Sequence, residues 1–259
     1  MSLISASVFI LTKNEAHNIE RVIESIRDFE DIVVVDSGST DGTVELARKY
    51  TDRVYVKDWL GWSRQSDLAA DLCVHDWVLK LDADEQATPE LLEDIRAAIP
   101  DTTLSGLSTP FDDRFLNQPN SHWVRRNAKV RFWRKSRGHF GDEYVHEGVQ
   151  LTGPVRSAQG CIVHYGESSI SIKLLKNDSY SSLKAKERYD RGRHFSLGTL
   201  LIAFPLAFLR SYILRRSCCN GISGLIGSTI NAFYAFLKEA KLYELELKNG
   251  KQKRGSRLP

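Results

Sequence analysis

Cysteine is scarce in this chain, and the few cysteines present are badly arranged for joint work. Four occur in 259 residues, Cys73, Cys161, Cys218 and Cys219, with no metal-ligand spacing. The adjacent pair is poorly placed for a simple bridge. A disulfide scaffold is therefore excluded, and a reduced, cytoplasmic protein is expected. The opening MSLISASVFILTKNE has no basic n-region and no small-residue cleavage site, so no secretory signal is expected. RNP, zinc-finger and helix-turn-helix signatures are missing, so no nucleic-acid partner is expected. No G-x-G-x-x-G follows the first apolar run, which disfavours a dinucleotide-binding enzyme. There is no internal repeat and no low-complexity segment.

What is present is enough for a sizeable core: 42% of the residues are hydrophobic and 27% charged. That suits one large domain or two small ones. The net charge is only +3, but it is unevenly spread. Residues 1–169 carry 19 Lys and Arg against 27 Asp and Glu, which is −8, and residues 170–259 carry 17 against 6, which is +11. A basic half beside an acidic half points to a tail that meets an anionic surface.

The pattern along the chain alternates strand and helix. Apolar runs at 5–11, 32–35, 53–57 and 77–81 read as strands. Helices are expected over 14–29, with Ile19, Val22, Ile23 and Ile26 on one face, and over 43–50 and 64–73. Thr88-Pro89 opens another helix, with Thr as N-cap and Pro in its first position. This order predicts an α/β fold with a parallel sheet, whose ligands sit beyond the carboxyl ends of the strands. Residues 12–15, 36–41 and 82–86 fall at that edge. Residues 105–110, 129–133 and 161–164 read as further strands of a mixed sheet, and the chain is expected to be helical from 170 onward.

The most informative stretch is WVLKLDADEQ, residues 77–86. An apolar strand ends in Asp82-Ala83-Asp84, and carboxylates two apart at a strand end suit a hard divalent cation and the phosphates it carries. Upstream, IVVVDSGSTDGT at 32–43 is a second buried strand tipped by an acid and a Gly/Ser turn. Together they suggest a site for a nucleoside diphosphate and a metal.

The ordered set TKNEAHNI, VVDSGSTDGT, VLKLDADE and then VHE resembles the inverting family 2 glycosyltransferases of the GT-A fold. The group most similar is the bacterial enzymes that add a hexose to the lipopolysaccharide core. The likeness is strong over about residues 4–165 and weaker in the tail. It implies a GT-A catalytic domain, a Rossmann-like mixed sheet flanked by helices, over 1–168. A basic, amphipathic helical region that associates with membrane would occupy 169–259. It also implies a UDP-sugar donor, Mg²⁺ or Mn²⁺, and a lipopolysaccharide core acceptor at the inner face of the cytoplasmic membrane.

Carried over residue by residue, the resemblance makes Asp84 the metal ligand. Asp82, with Ala83 beside it, would meet the ribose or a metal-bound water, or join the metal. His164 is a further metal candidate, with a packed histidine as the alternative. Asp36 and Ser37 would hold the nucleobase, uracil, or Asp36 would simply cap its turn. Thr12, Asn14 and Glu15 would hold the nucleoside. Arg64 and Gln65 would reach the nucleotide, although Asp67 stands where relatives usually have Asn. Gln86 is open between a metal contact and a helix-entry polar residue, and Glu85 between an acceptor-side contact and local structure. Glu147 is the candidate general base, since inversion needs a carboxylate to take the acceptor proton. His146 would hold that base or touch the acceptor side. Asp112, Asp113, Asp142 and Glu143 are rival acids. Arg131 leads a run of seven cations within 125–137, which suggests phosphate contacts and a phosphorylated acceptor.

Ser196–Leu209 is almost uncharged, but only 15 residues separate His194 from Arg210, which is short for a span. With Arg191, Arg193, Arg210, Arg215 and Arg216 on its flanks, the segment reads as an interfacial helix. Packing against the catalytic part or a partner subunit is the alternative. Other acceptors (polyprenyl phosphate, capsule or protein) and a non-catalytic nucleotide-sugar-binding membrane module compete with the main reading. The sequence does not specify the sugar, the linkage or the oligomeric state.

Overall fold

The computed structural model describes residues 2–140 and 148–255. It divides into two compact units, Met1–Asp113 with Arg126–Gly166, and Arg114–Arg125 with Glu167–Pro259.

In the first unit the elements run β1 (Ile4–Thr12), α1 (Ile19–Glu24), β2 (Phe29–Asp36), α2 (Thr43–Ala47), β3 (Val54–Val56), α3 (Trp62–Leu72), β4 (Trp77–Asp82), β5 (Glu85–Ala87) and α4 (Pro89–Ala98). Then follow β6 (Gly106–Phe115), β7 (Ala128–Arg134), β8 (Gly138–Phe140), β9 (Val149–Leu151), β10 (Val155–Ser157) and β11 (Ile162–Glu167). Nine strands form one sheet in the order β3-β2-β1-β4-β7-β6-β11-β5, with β10 beside β6; β8 and β9 form a separate antiparallel pair. β3, β2, β1 and β4 are parallel, whereas β7 runs antiparallel to both β4 and β6. This is the mixed GT-A sheet flanked by helices.

The central strands are largely apolar because both of their faces are covered. Along β1, Ile4, Ala6, Val8 and Ile10 pack with α1 residues Ile19, Val22 and Ile23 and α4 residues Leu91, Ile95 and Ala98. The alternate residues Phe9 and Leu11 join Ala69, Ala70, Trp133 and Phe140 on the opposite face. The period of two therefore sorts one strand into two cores. At α4, the Thr88 hydroxyl accepts from the Leu91 N–H and Pro89 takes the first helical position, the cap that the sequence predicts. Such a cap contributes about 1 kcal/mol.

Helix α1 is shorter than its apolar pattern suggests. Asn14 has φ 56°, and the backbone N–H groups of residues 14–16 bond to side chains of the next turn instead of entering a helix. At α2 the cap position is Gly42, at φ 87°, and Asp41 receives the Thr43 N–H.

The second unit holds α5 (Ile170–Asp190), α6 (Leu197–Leu209) and α7 (Gly221–Gly255). Segment 114–125, which lies between β6 and β7, belongs with these helices: Leu116 N–H bonds Glu167 O, Ser121 N–H bonds the Asn220 amide oxygen, and Arg125 N–H bonds Arg215 O. Ser169 and Ser196 cap α5 and α6. Helix α6 does not stop at Arg210. A π-turn, Arg210–Leu214, continues it, giving an 18-residue segment, Leu197–Leu214, long and apolar enough to cross a membrane by length and composition. Nor is the helix amphipathic: at 100° per residue the exposed Leu197, Leu201, Ile202, Leu206 and Leu209 cover one half of its circumference, and the half-buried Leu200, Ala203, Phe204 and Ala207 lie on the other, so both sides are apolar.

Candidate active site

The parallel register sets the site. Thr12 pairs with Asp36, and Leu11 with Asp82, so β1, β2 and β4 end side by side. Ser37 N–H bonds Thr12 O and Ala83 N–H bonds Leu11 O, extending the ladder into the first residues of the turns. Thr12, Asp36, Ser37, Asp82 and Ala83 therefore share the carboxyl edge expected of them. Ala83 is buried in the core and leaves Asp82 and Asp84 on either side of it. The Thr12 hydroxyl is buried with no hydrogen-bond partner.

The turns after β1 and β2 are locked together. Asn14 N–H donates to Ser39 Oγ at 2.7 Å, while Asn14 Oδ1 accepts from Thr40 N–H at 2.8 Å. Glu15 N–H reaches Thr43 Oγ1 at 2.9 Å, and the Glu15 carboxylate accepts from the Asn18 amide at 2.7 Å. Asp36 is fully buried and accepts from Gly38 N–H, Ser39 N–H and the Ser39 hydroxyl. It thus caps its own turn. Gln65, also fully buried, accepts from Leu60 N–H at 3.2 Å and donates to Ser37 Oγ at 3.5 Å. It fastens two loops and does not face outward. Arg64, one residue before it in the first turn of α3, is exposed. Asp67 accepts from Phe140 N–H at 2.9 Å, which ties α3 to β8.

Beneath the edge lies a buried charge cluster. Arg131 is 7% exposed and donates to Glu85 at 2.8 Å and to Asp82 at 3.2 Å. Asp82 N–H bonds Glu85 Oε2 at 2.9 Å, and Lys80 Nζ stands 4.0 Å from Asp82 Oδ1. Burial pushes Asp82 up, but Arg131, Lys80 and His164 together hold it below the usual carboxylate range. Glu85 goes the other way: burial, with the Asp82 charge adding to it, pushes it up to about 7 against the pull of Arg131. Arg131 thus pairs with two carboxylates, and Glu85, at 2% exposure, braces Asp82 through its backbone N–H and through Arg131. Asp82 Oδ1 remains buried without a hydrogen-bond partner.

Asp84 meets His164 because β5 pairs antiparallel with β11, setting Glu85 opposite His164. Tyr165 N–H closes the contact on Asp84 O at 2.9 Å, and Gln86 accepts from the Tyr165 hydroxyl at 3.3 Å. His164 Nε2 lies 3.3 Å from Asp84 Oδ2, and its Nδ1 lies 2.9 Å from Asp113 Oδ1. Burial lowers the imidazole's affinity for a proton, but the two carboxylates overcome this and raise it to about 10. A Cβ on Gly166 would fall 2.5 Å from His164 Nε2 and 3.0 Å from Asp84 Oδ2, so glycine keeps the space between them open.

Among the described residues, no three His, Cys, Asp or Glu side chains converge as a metal cage. A hard cation that carries a diphosphate needs no such cage, because one or two protein ligands plus phosphate oxygens and waters complete its shell. Neighbouring ligands of an octahedral ion with bonds of about 2.1 Å lie roughly 3 Å apart. The Asp84–His164 spacing and the gap at Gly166 fit that requirement, whereas Asp82 turns to Arg131.

The cation run does not act as a phosphate clamp along its length. β7 is antiparallel to β4, so rising residue numbers lead away from the site, and Arg134 pairs with Trp77 at the far end of β4. There Arg134 bonds Asp76 and backbone carbonyls, Lys135 bonds Cys73 O, and Arg137 bonds the carbonyls of Thr102, Thr103 and Leu104. The base expected at Glu147, with its neighbours His146, Asp142 and Glu143, lies outside the described residues.

Asp113 is a participant that the sequence offered only as a rival acid, and Gly166 was not singled out at all. A glycine two residues after a strand histidine was the one local signal for close approach. Nothing local couples Asp113 to a histidine 51 residues away.

The sequence profile of Glycosyl transferase family 2 matches residues 7–157. The lipopolysaccharide core biosynthesis glycosyltransferase LpsC of Rhizobium meliloti (strain 1021) is 33% identical over 249 residues, covering 92% of each chain. An uncharacterized glycosyltransferase of Rickettsia typhi is 33% identical over 265 residues, covering 94% of this chain and 88% of its own. Among solved structures, Staphylococcus aureus TarS 1–349 in complex with UDP aligns over 95% of this chain and 92% of its own, at 15% identity and a TM-score of 0.44.

Proposed function

Because this chain belongs to glycosyl transferase family 2, we propose that it moves a hexose, glucose from UDP-glucose, to a lipopolysaccharide core acceptor with inversion at the anomeric carbon. The observation that carries the donor half is the Asp84–His164 pair, 3.3 Å apart with open space kept by Gly166, at the edge where Thr12, Asp36 and Asp82 end their strands. The acceptor half rests on LpsC, whose name assigns that protein to lipopolysaccharide core biosynthesis.

Asp84 and His164 would hold Mg²⁺ or Mn²⁺. The ion would supply positive charge to the diphosphate as it leaves, the role a Lewis acid plays in such displacements. The interlocked turns carrying Asn14, Glu15 and Ser37 form the wall for the nucleoside. Asp82, its carboxylate kept ionised by Arg131 and Lys80, would meet a ribose hydroxyl or a metal-bound water. Glu147 takes the proton of the acceptor hydroxyl as that oxygen attacks the anomeric carbon; the bond to the diphosphate breaks and UDP departs.

The basic helical unit would keep the enzyme at the cytoplasmic face of the inner membrane, where a lipid-linked acceptor is presented. Its net charge of +11 over residues 170–259 and the exposed apolar helix Leu197–Leu214 support that location.

The first test is calorimetry of UDP with and without Mn²⁺, on wild type and Asp84→Ala. Metal-dependent binding that the variant loses is expected. Equal binding by the variant would remove Asp84 from the metal site, and no binding by wild type would overturn the donor. A gene deletion that leaves the core's electrophoretic mobility unchanged would redirect the acceptor to polyprenyl phosphate, capsule or protein.

A further inference from the structure

The metal-site reading leaves one carboxylate unexplained. Asp113 lies on β6, and its Oδ1 sits 2.9 Å from His164 Nδ1, while the opposite ring nitrogen faces Asp84 at 3.3 Å. The next residue back, Asp112, points to the other side of the strand, where it is 4% exposed and 4.0 Å from Arg126. The alternation of β6 thus sends a single acid to the imidazole.

We propose that Asp113 is a positioning residue that accepts the Nδ1–H of His164 and holds the ring so that Nε2, once a metal ion takes the place of its proton, faces the space that Asp84 and Gly166 define. The inference rests on the reading of Asp84 and His164 as metal ligands. The physical ground is the two-ended character of imidazole. A neutral ring has one N–H and one lone pair, and the group bonded to one nitrogen decides which nitrogen is free to ligate. A carboxylate behind a ligating histidine also raises the basicity of the ring. Asp113 is 56% exposed at its side chain and His164 31%. The pair is therefore no sealed core contact that only packing could explain. Gly166 bounds the gap from the remaining side, since a Cβ there would occupy the position Nε2 faces.

A purely structural ion pair would make a different prediction. Were His164 merely a cation shared by Asp84 and Asp113, removing Asp113 would leave Mn²⁺ affinity untouched.

The test is Mn²⁺ titration in the presence of saturating UDP, by calorimetry, on the full chain and on Asp113→Ala, Asp113→Asn and His164→Gln. With Mg²⁺ and UDP bound, the tautomer is read in parallel from ring nitrogen resonances of ¹⁵N-histidine protein, with His164 assigned by its loss in His164→Gln. Asp113→Ala is expected to weaken Mn²⁺ by roughly 10–100-fold and to shift the His164 resonances toward a tautomer mixture. Asp113→Asn is expected to fall between, because its amide oxygen still accepts but carries no charge. It also serves if the alanine variant fails to fold. Wild-type Mn²⁺ affinity with an unchanged tautomer in the folded Asp113 variants would overturn the proposal. Unchanged affinity in His164→Gln, with loss in Asp84→Ala, would remove the histidine from the metal and Asp113's role with it. Unchanged affinity in both would sink the metal-site reading itself.

Discussion

In the sheet-bearing unit, Phe9, Ile10, Leu79 and Phe132 are fully buried, whereas in the helical unit Leu197, Leu201, Leu206 and Leu214 are each more than half exposed. The residue types are alike, but their surroundings are not. The first unit buries apolar side chains on both faces of a sheet, and that burial drives its folding. Within the second, Ala185, Ile230, Ala232 and Leu242 are the buried hydrophobics among the described residues. It is organised as much by polar fastenings: buried Glu239 accepts from Arg188 at 2.6 Å and from Ser196 N–H at 3.0 Å. Composition alone does not tell a core from a surface. The second unit carries apolar area that its own fold leaves uncovered, as a lipid-facing element does.

The largest test of that contrast is a matched pair of truncations. Phe132→Ala in the first unit is expected to cost about 3–5 kcal/mol in denaturant unfolding. Leu201→Ala in the second is expected to stay within about 0.5 kcal/mol. Similar costs would mean that the two apolar surfaces are equally load-sharing in the fold, and the contrast would fail.

Lipid binding is the next measure. Leu201→Asp with Leu206→Asp is expected to cut sedimentation with anionic phospholipid vesicles tenfold or more, since an acid in an apolar environment costs about 2.5–3.5 kcal/mol at the centre of a span. UDP binding is expected to be unchanged. Retained vesicle binding in that variant would assign membrane affinity to the cations alone.

A further test concerns the thiols. Burial pushes the Cys73 thiol up to about 12, with the Asp31 charge adding to the shift. An unfolded thiol ionises near 8.5. The native state therefore holds its proton where the unfolded state loses it. The stabilising contribution is complete below about pH 8.5 and is lost as pH rises toward 12. Wild type is expected to lose stability over that range faster than Cys73→Ala; parallel curves would refute the assignment. Native labelling at pH 8 is expected at exposed Cys218 and Cys219 and not at buried Cys73 and Cys161.

Much of the donor edge could be read directly from the sequence. The run IVVV is apolar on consecutive residues, and WVLKL is so but for Lys80, because both sheet faces are covered, and the first acid after each marks the strand's end. Asp36 and Asp82 were therefore placed correctly at one edge. The parts that escaped depend on pairing over long distances. β5 is three residues long and has no periodic signal, yet its register with β11 joins Asp84 to His164. The direction of β7 is invisible in the string of cations it carries, so Arg134, Lys135 and Arg137 looked available when they were holding carbonyls at the opposite end. Gln65 shows a subtler limit. Its position at the start of the helix before the Asp82 strand was legible, but an amide that ties two loops and one that greets a ligand have the same letter.

The clasp between the turns at 13–18 and 37–43 has a consequence for recognition. Asn14, Glu15 and Ala16 donate their backbone N–H groups to Ser39, Thr43 and Asp41, and Thr40 answers to Asn14. Restricting a backbone costs about 1–2 kcal/mol per residue. Here that loss of freedom occurs during folding, before any nucleotide arrives. A preorganised rim keeps more of the contact energy as affinity. On the proposed reading of these turns as the nucleoside wall, it is also unforgiving, because reshaping a rim tied by these four hydrogen bonds around a base of the wrong outline would break them.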